Sequence, residues 1–476
     1  MNFLSIFRKH KKTVAKRAFA GAKIDRLTSS WTTTSQSINK DLQAGGKVLR
    51  TRARDLSQNN DYARKYLQMC VSNVVGAKGI LLQVKAKTAK GKLDHKSNRR
   101  VEQAWMQWSK ARNCSWDARL SFVEMQRLFI ESAARDGEVL VRIVRDDSQF
   151  GLKLQFLDIN RLDENLNKNL GNNAQIRMGI EFDNTGKPVA YHLQTNLENT
   201  ASAGARYERI DADNIIHAFI GERAEQIRGA TWMATAMTRL NMLGAYEEAE
   251  LVAARIGASK MGFYTSEAGD SFIGEEDDQG YLIDSAEPGV FSQLPAGTGF
   301  TSFDPTHPTS AFESFNKAIL RGIASGLGVA YNSLASDLEG VSYSSIRSGT
   351  IEERDQWRVK QNWMTQHFMS RVYDQWLGMQ LLNGSIGMGM TEFDKLSEVR
   401  WQAKSWTWVD PLKDIKAATE AINAGIKTAS EVIAEQGGDI EDVYEQLAYE
   451  QQLAKEKGLN LSVNNEVIAN ETNQNG

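Results

Sequence analysis

Two patterns in this 476-residue sequence could bind phosphate or supply a nucleophile, and neither is complete. Each of the three Gly-Lys pairs is followed by a residue other than Ser or Thr, so none completes a phosphate-binding P-loop. Ser314 and Lys317 have the Ser-x-x-Lys spacing of a serine nucleophile, but the Ser-Asp-Asn and Lys-Thr-Gly strings that accompany it elsewhere are missing. We expect this spacing to be coincidental.

The metal-binding patterns are also incomplete. One acidic run resembles the start of a calcium loop, but Ala286 stands at the twelfth position, where such a loop needs Glu. The run consists of Glu275, Glu276, Asp277 and Asp278. No His-Glu-x-x-His string occurs, and the six His residues are scattered. We therefore predict no catalytic, cofactor-binding or metal-binding residue, and no enzyme activity.

The composition is that of a folded protein of several domains. Hydrophobic residues make up 41% and charged residues 24%, which excludes disorder of the whole chain. The net charge is −2, so any hold on nucleic acid must be local. Cys70 and Cys114 cannot form a disulfide framework, and we expect both to be buried. No apolar run is long enough to span a membrane as a helix.

Periodicity predicts a helix-rich α+β fold. Met364, Phe368, Val372 and Trp376 recur at every fourth position and predict a buried helix face. A turn at residues 183–186 predicts a β-hairpin. Helices are predicted over residues 61–75, 98–110, 122–135, 231–257, 312–327 and 343–382, and strands over 79–87, 138–144 and 152–157. Near the C-terminus, helix starts are predicted at Asp410 with Pro411, at Thr428 with Glu431, and at Asp439.

Charge is unevenly distributed along the chain. Residues 1–30 carry eight cations and one acid, and residues 40–112 carry 17 cations and five acids. The N-terminal segment is consistent with a flexible basic tail, an arm that contacts nucleic acid or an acidic protein, or a transit or membrane-surface helix. Residues 261–316 contain ten acids and no Lys or Arg. That segment is either a solvated insertion or a surface that docks a basic partner protein.

Several short strings, in this order, resemble the lambda-type family of tailed-phage portal proteins. The resemblance covers about residues 25–457. The strings are Ala53-Arg54-Asp55-Leu56 with Asn59-Asn60, Asn73-Val74-Val75-Gly76 with Gly79-Ile80, Asp136-Gly137-Glu138, Gln226-Ile227-Arg228-Gly229, Ile323-Ala324-Ser325-Gly326-Leu327-Gly328-Val329, Tyr343-Ser344-Ser345-Ile346-Arg347 and Trp408-Val409-Asp410-Pro411-Leu412-Lys413.

The resemblance implies a homo-oligomeric ring, a dodecamer of about twelve subunits, at one capsid vertex of the virion, assembled in the host cytoplasm. Double-stranded DNA would pass through it, and its protein partners would be the terminase large subunit, a head–tail connector and the major capsid protein, with no membrane. The implied segments are a basic flexible arm (1–30), a wing (31–230), a stem helix (231–257), an acidic clip (258–311), a second stem helix (312–329), a tunnel loop (330–342), a long wing helix with the following segment (343–409), a crown (410–457) and a disordered tail (458–476).

A channel for DNA should hold phosphate weakly, because many Lys and Arg contacts would stop the duplex from moving. The implied channel residues are Lys317, Arg321, Asn332, Ser333 and Ser336, and the implied clip docking residues are Glu275, Glu276, Asp277 and Asp278. Lys317 and Arg321 either ring the channel or pair with Glu313 or with a neighbouring subunit. Two other hypotheses remain at this point: a phage DNA-processing or peptidase enzyme, and a monomeric basic DNA-binding module.

Overall fold

The computed structural model describes residue 26 and most of the chain from residue 29 to residue 459. The described ranges are 29–195, 206–258, 262–266, 275–276, 282–283, 298–302, 311–339, 342–406 and 410–459. Within them the protein combines long helices with small antiparallel sheets, which confirms the predicted α+β class.

Two consecutive helices open the described fold. Ser37 caps α1 (Ile38–Asn59), and Asn60 both ends α1 and caps α2 (Asp61–Val74) by accepting a hydrogen bond from the backbone of Ala63. The prediction over residues 61–75 is confirmed, whereas α1 was not predicted. Gly45 and Gly46 interrupt its sequence, and its buried face includes polar residues, so tertiary contacts rather than periodicity define it.

One strand, three α-helices and then eight strands follow in the described residues as far as residue 219. The helices are α3 (His95–Trp108), α4 (Ala111–Cys114) and α5 (Phe122–Asp136). The strands are β1 (Leu81–Val84), β2 (Glu138–Arg145), β3 (Leu152–Leu157), β4 (Lys168–Gly171), β5 (Ala174–Arg177), β6 (Ile180–Phe182), β7 (Pro188–Gln194), β8 (Tyr207–Asp211) and β9 (Ile215–Phe219). One sheet has the order β3-β2-β9, and the other runs β4-β5-β6-β7-β8. The predicted hairpin between β6 and β7 is confirmed.

Two helices flank a segment of short strands. They are α6 (Met237–Ala258) and α7 (Phe312–Leu327), and α7 has the predicted bounds. The strands between them are β10 (Gly262–Ser266), β11 (Glu275–Glu276), β12 (Leu282–Ile283) and β13 (Thr298–Ser302).

Helix α6 starts six residues later than predicted. Thr231 Oγ1 and Trp232 N each donate a hydrogen bond to the carbonyl of Ala134, at the end of α5, at 3.1 Å. These bonds hold residues 231–236 as turns against α5, so they do not form the first helical turns. The 22 residues of α6 span about 33 Å, not the ~40 Å of the predicted helix.

The predicted helix over residues 343–382 is continuous but not uniform. It consists of α9 (Tyr343–Met364), a π-helical turn (Thr365–Met369) and α10 (Ser370–Leu382). The buried face is confirmed, because Met364, Phe368, Val372 and Trp376 are all fully buried. A short helix, α8 (Tyr331–Ala335), lies where a loop was predicted.

Aromatic side chains form the centre of the main core. The ring of Trp105 lies 4.7 Å from that of Trp108 and 5.1 Å from those of Phe122 and Trp376, measured between centroids. Cys70 and Cys114 are both buried and free, as predicted. Burial raises the pKa of each thiol to about 12. The core therefore joins α3 and α5 to the distant helix α10.

The C-terminal elements confirm the predicted helix starts. After α11 (Phe393–Leu396), β14 (Val399–Gln402) pairs antiparallel with β1. Then come α12 (Pro411–Asn423), α13 (Ala429–Glu435) and α14 (Ile440–Glu456). Asp410 and Asp439 cap their helices, and Thr428 with Glu431 forms a capping box.

Candidate functional site

The pair of helices α6 and α7 carries an insertion between them. Aromatic rings join the pair, since the ring of Tyr246 lies 5.7 Å from that of Phe312 and 5.2 Å from that of Phe315. Strands β10 and β13 pair antiparallel along their full length, with Gly262 opposite Ser302. The chain therefore leaves α6 and returns to α7 along two adjacent strands.

Of the four acidic residues predicted to dock a partner, the structure describes two. Glu275 and Glu276 form β11, which pairs with β12 through Ile283 and Leu282. Asp277 and Asp278 lie outside the described residues. The described strands agree with a largely non-helical insertion.

The segment after α7 folds back onto that helix. Lys317 Nζ lies 2.6 Å from a carboxylate oxygen of Glu313, 3.2 Å from Glu339 and 3.8 Å from Asp337. The hydrogen bonds that Lys317 donates to Glu313 and Glu339 raise the pKa of Lys317 above its ordinary value. Lys317 thus pairs with Glu313, one of the two alternatives derived from the sequence, and two more acids join them.

The other predicted channel residues lie around the same turn. Arg321 is exposed, and its guanidinium carbon lies 5.4 Å from the centre of the Tyr331 ring. Ser333 Oγ donates a hydrogen bond to Glu353 of α9 at 2.6 Å. Asn332 is half-buried in α8, and Ser336 is exposed with a positive φ of 54° where α8 ends.

The charge balance of this region makes it a weak site for phosphate. Each carboxylate beside Lys317 competes with a phosphate for the same ammonium group, because like charges repel at these distances. Residues 330–339 and 342 contain no Lys or Arg. Within residues 312–339, all of which the structure describes, Arg321 is the cation that stays available to bind phosphate.

A second group of charges is buried in the fold, and no sequence pattern predicted it. Glu138, at the start of β2, accepts hydrogen bonds from Arg50 at 3.0 Å and from Arg228 at 2.7 Å, and His217 Nε2 lies 2.9 Å from its other oxygen. Glu164 also pairs with Arg50. We call Arg50, Glu138, Glu164, His217 and Arg228 the buried ion cluster; all five side chains are at most 10% exposed.

The electrostatics of Glu138 follow from its surroundings. Burial alone would raise its pKa, but the charge of Arg228 and hydrogen bonds from His217 and Arg228 hold it well below the ordinary range. Arg228 is fully satisfied in turn, because its remaining nitrogen donates to the carbonyls of Leu162 and Met178 at 3.1 and 3.2 Å. The cluster is therefore a balanced structural network.

Three of the strings that carry the family resemblance, at residues 53–56, 136–138 and 226–229, meet in and beside this cluster. Arg54 forms two hydrogen bonds to Asp136, at 2.8 and 3.1 Å. Gly229 passes so close to Gly137 that a Cβ on Gly229 would lie 2.2 Å from the Gly137 carbonyl oxygen. Elsewhere, Asn73 accepts a hydrogen bond from Trp406 at 3.0 Å. The sequence signal that could have located the buried ion cluster is the presence of charged residues and glycines within these strings.

The described residues contain neither a candidate metal site nor a candidate membrane-spanning helix. No group of three or more His, Cys, Asp or Glu side chains is placed to hold a metal ion in the described ranges. Among the same residues, no helix is both long enough and apolar enough to cross a membrane.

Solved structures and curated relatives were compared with the chain. The neck of a native gene transfer agent particle, computed with C12 symmetry, aligns at a TM-score of 0.47 and 13% identity, over 85% of this chain and 95% of that one. The probable portal protein of Halomonas phage phiHAP-1 is 37% identical over 464 residues, which is 94% of this chain and 89% of the relative. Portal protein B of Escherichia phage lambda is 22% identical, covering 90% and 88%.

The family assignment rests on the sequence comparisons. The profile described as "Phage portal protein, lambda family" matches residues 25–361, well over half of the chain. The relative from phage phiHAP-1 covers nearly all of the chain at an identity that unrelated proteins do not reach. By both criteria this chain belongs to the lambda family of phage portal proteins and has the role of a phage portal.

Proposed function

We propose that copies of this chain close into a ring of about twelve subunits at one capsid vertex, and that double-stranded DNA passes along the ring axis during packaging and ejection. The observation that carries this proposal is the neutralised Lys317. A moving duplex needs a lining that binds phosphate weakly. In residues 313–339, three acids lie beside Lys317, and Arg321 is the one further Lys or Arg.

The remaining segments take their roles within this ring. We assign α6 and α7 to the stem, the insertion between them to the clip, and residues 330–342 to the tunnel loop. Residues 31–230 and 343–409 form the wing, and 410–457 form the crown. The antiparallel pair β10 and β13 supports the clip assignment, because it lets the insertion project from one end of the stem pair.

The clip is the surface we assign to partner proteins. Its sequence, residues 258–311, has nine acids and a single cation, Lys260, so it attracts a basic protein surface and repels DNA. We infer that it docks the terminase large subunit during packaging and a head–tail connector afterwards. The major capsid protein would contact the wing. The chain itself needs no catalytic group for any of these roles.

Electron microscopy of the purified full chain tests the ring. We expect closed rings with a central hole wide enough for a duplex. A particle that contains a single copy under all assembly conditions would contradict the proposal. Pull-down of terminase by wild-type rings, and not by rings in which Glu275, Glu276, Asp277 and Asp278 are changed to Gln, tests the clip assignment. Equal capture of terminase by both would place the docking surface elsewhere.

A further inference from the structure

The last helix, α14, lies against the wing through charged side chains. His95 and Arg99 are four residues apart on α3, and Glu441 and Glu445 are four residues apart on α14, so each pair lies on one helix face. Two ion pairs and one hydrogen bond form the contact: Lys85 pairs with Asp439 at 3.1 Å, Arg99 pairs with Glu445 at 2.6 Å, and His95 Nδ1 lies 3.0 Å from a carboxylate oxygen of Glu441.

Apolar packing contributes little to this contact. Among the described residues, the main hydrophobic core has no member beyond Trp406, and neither α12 nor α13 has a buried residue. A cavity of about 700 Å³ separates α14 from β1 and α3, and Met106 on its wall is 60% exposed. The two helices are therefore held together mainly by the tips of long charged side chains.

The wing surface beside α14 has more cations than α14 neutralises. Residues 85–100 contain seven Lys and Arg and a single acid, Asp94, which pairs with Lys395 at 2.9 Å. Five of the cations are exposed, and the structure gives them no ion pair within the described ranges. They are Lys87, Lys90, Lys92, Lys96 and Arg100. We call residues 85–100 the basic patch.

We propose that the basic patch is a binding surface for duplex DNA and that α14 covers part of it, with Glu441 and Glu445 in the place of phosphates. The inference rests on the proposed function, which brings DNA to this protein. A run of exposed cations suits a row of phosphates. No large apolar side chain within residues 87–100 is exposed, so the patch lacks the apolar anchors that dominate protein interfaces. DNA would displace α14 by exchanging carboxylates for phosphates.

The test compares two double variants of the full chain that remove the same charge from the same helix. Glu441→Gln with Glu445→Gln breaks two wing contacts. Glu450→Gln with Glu456→Gln is the matched control, because these acids accept hydrogen bonds from Gln446 and Gln452 within α14 itself. Fluorescence anisotropy at low salt measures the affinity for a short duplex of mixed sequence. We expect the first variant to bind about tenfold more tightly than wild type and the control to stay within about twofold.

Two further measurements locate the effect. Adding Lys96→Gln and Arg100→Gln to the first variant should abolish the gain in affinity. A pair of fluorophores on Gln103→Cys and Gln451→Cys, which are exposed whereas both native cysteines are buried, should move apart when DNA is added. Equal affinity of the two glutamine variants, a gain that survives loss of Lys96 and Arg100, or an unchanged fluorophore distance with DNA bound would each overturn the proposal.

Imaging of the same samples separates this inference from the proposed function. If rings form normally but the two glutamine variants bind DNA with equal affinity, the proposal that α14 covers the basic patch is refuted. The proposed ring is then unaffected. Failure of every sample to form rings would overturn both, because the inference assumes a portal that meets DNA.

Discussion

At the residue scale, a single carboxylate joins four segments that are distant in the chain. Glu138 contacts Arg50 of α1, His217 of β9 and Arg228 in the turn before α6. A buried ion cluster of this kind costs desolvation, so its net contribution to stability is small when complete. The loss of one member is costly, because the remaining charge stays buried without its partner.

We expect Arg228→Leu to lower the free energy of unfolding by about 3–5 kcal/mol, because it leaves the Glu138 carboxylate without its main partner. Urea denaturation followed by circular dichroism measures the change. Arg119→Leu is the matched control: this arginine is 83% exposed, lies 3.8 Å from Asp117, and should cost about 0–1 kcal/mol. Similar losses for the two variants would show that burial does not set the strength of the Glu138 contact.

The low pKa of Glu138 also predicts an acid-dependent loss of stability. Because its pKa is lower in the folded protein than the ordinary value of 4.5, the ionised group contributes stability that is fully present above that value. This contribution is lost as the pH falls from about 4.5 toward the folded pKa. Urea midpoints, with a stabilising osmolyte present, should therefore fall more steeply below pH ~4.5 for wild type than for Glu138→Gln. Parallel curves would be evidence against this role.

Gly137 is required by space as well as by backbone angle. Gly137 and Gly171 share a φ of +88°, so alanine strains the backbone at both positions. A Cβ at Gly137 would lie 2.2 Å from the carbonyl carbon of Ala230, whereas nothing lies within 4 Å at Gly171. We expect Gly171→Ala to cost about 1–2 kcal/mol and Gly137→Ala at least about 2 kcal/mol more. Equal melting temperatures of the two alanine variants would mean that the backbone at Ala230 moves away from the added Cβ without a cost in stability.

At the element scale, the C-terminal helices should open before the core helices do. Among the described residues, three ion pairs and the contact of His95 with Glu441 attach residues 410–457 to the rest of the fold; the third ion pair is Arg347 with Asp414 at 3.0 Å. Partly exposed pairs contribute only about 0–1 kcal/mol each. Hydrogen exchange should therefore be faster in α12–α14 than in α10, which contains the fully buried Trp376, and it should accelerate with salt. Equal protection of both regions would contradict this order.

Periodicity and capping predicted the elements whose stability is local. Residues within each helix predicted three features: the bounds of α7, the buried face of α9 and α10, and the caps at Thr428 and Asp439. Elements defined by distant contacts were missed. Helix α1 has glycines and a buried Arg50, and residues 231–236 follow hydrogen bonds to α5 instead of their own helical propensity.

At the scale of the whole molecule, we expect the charge of residues 330–342, the proposed tunnel loop, to govern DNA movement. Asp337→Lys with Glu339→Lys would turn a neutralised Lys317 into a group of cations, and a duplex should pass more slowly because each phosphate is held longer. Packaging with terminase and capsids in vitro measures the rate, which we expect to fall several-fold. The matched control is Asp147→Lys with Asp394→Lys, two exposed acids elsewhere in the wing.

A packaging rate equal to that of the control would show that the charge of this segment does not act on DNA.

The candidate site itself was only partly predictable from the sequence. The pairing of Lys317 with Glu313, four residues apart on one helix, was one of two alternatives that the sequence left open. The contacts of Lys317 with Glu339, and of Ser333 with Glu353, depend on how the chain folds back after α7, which no local pattern encodes.

The π-helical turn at Thr365–Met369 holds one residue more than an α-helical turn requires. Deleting a residue from a regular helix rotates everything beyond it by about 100°, which would turn a buried stripe toward solvent. Here the loss of the exposed Gln366 would convert the wide turn into a regular one, while Met364 and Val372 keep facing the same core. The helical stretch over residues 343–382 thus contains one residue that its packing does not require. Natural variants that lack one residue within 365–369 should have the same fold.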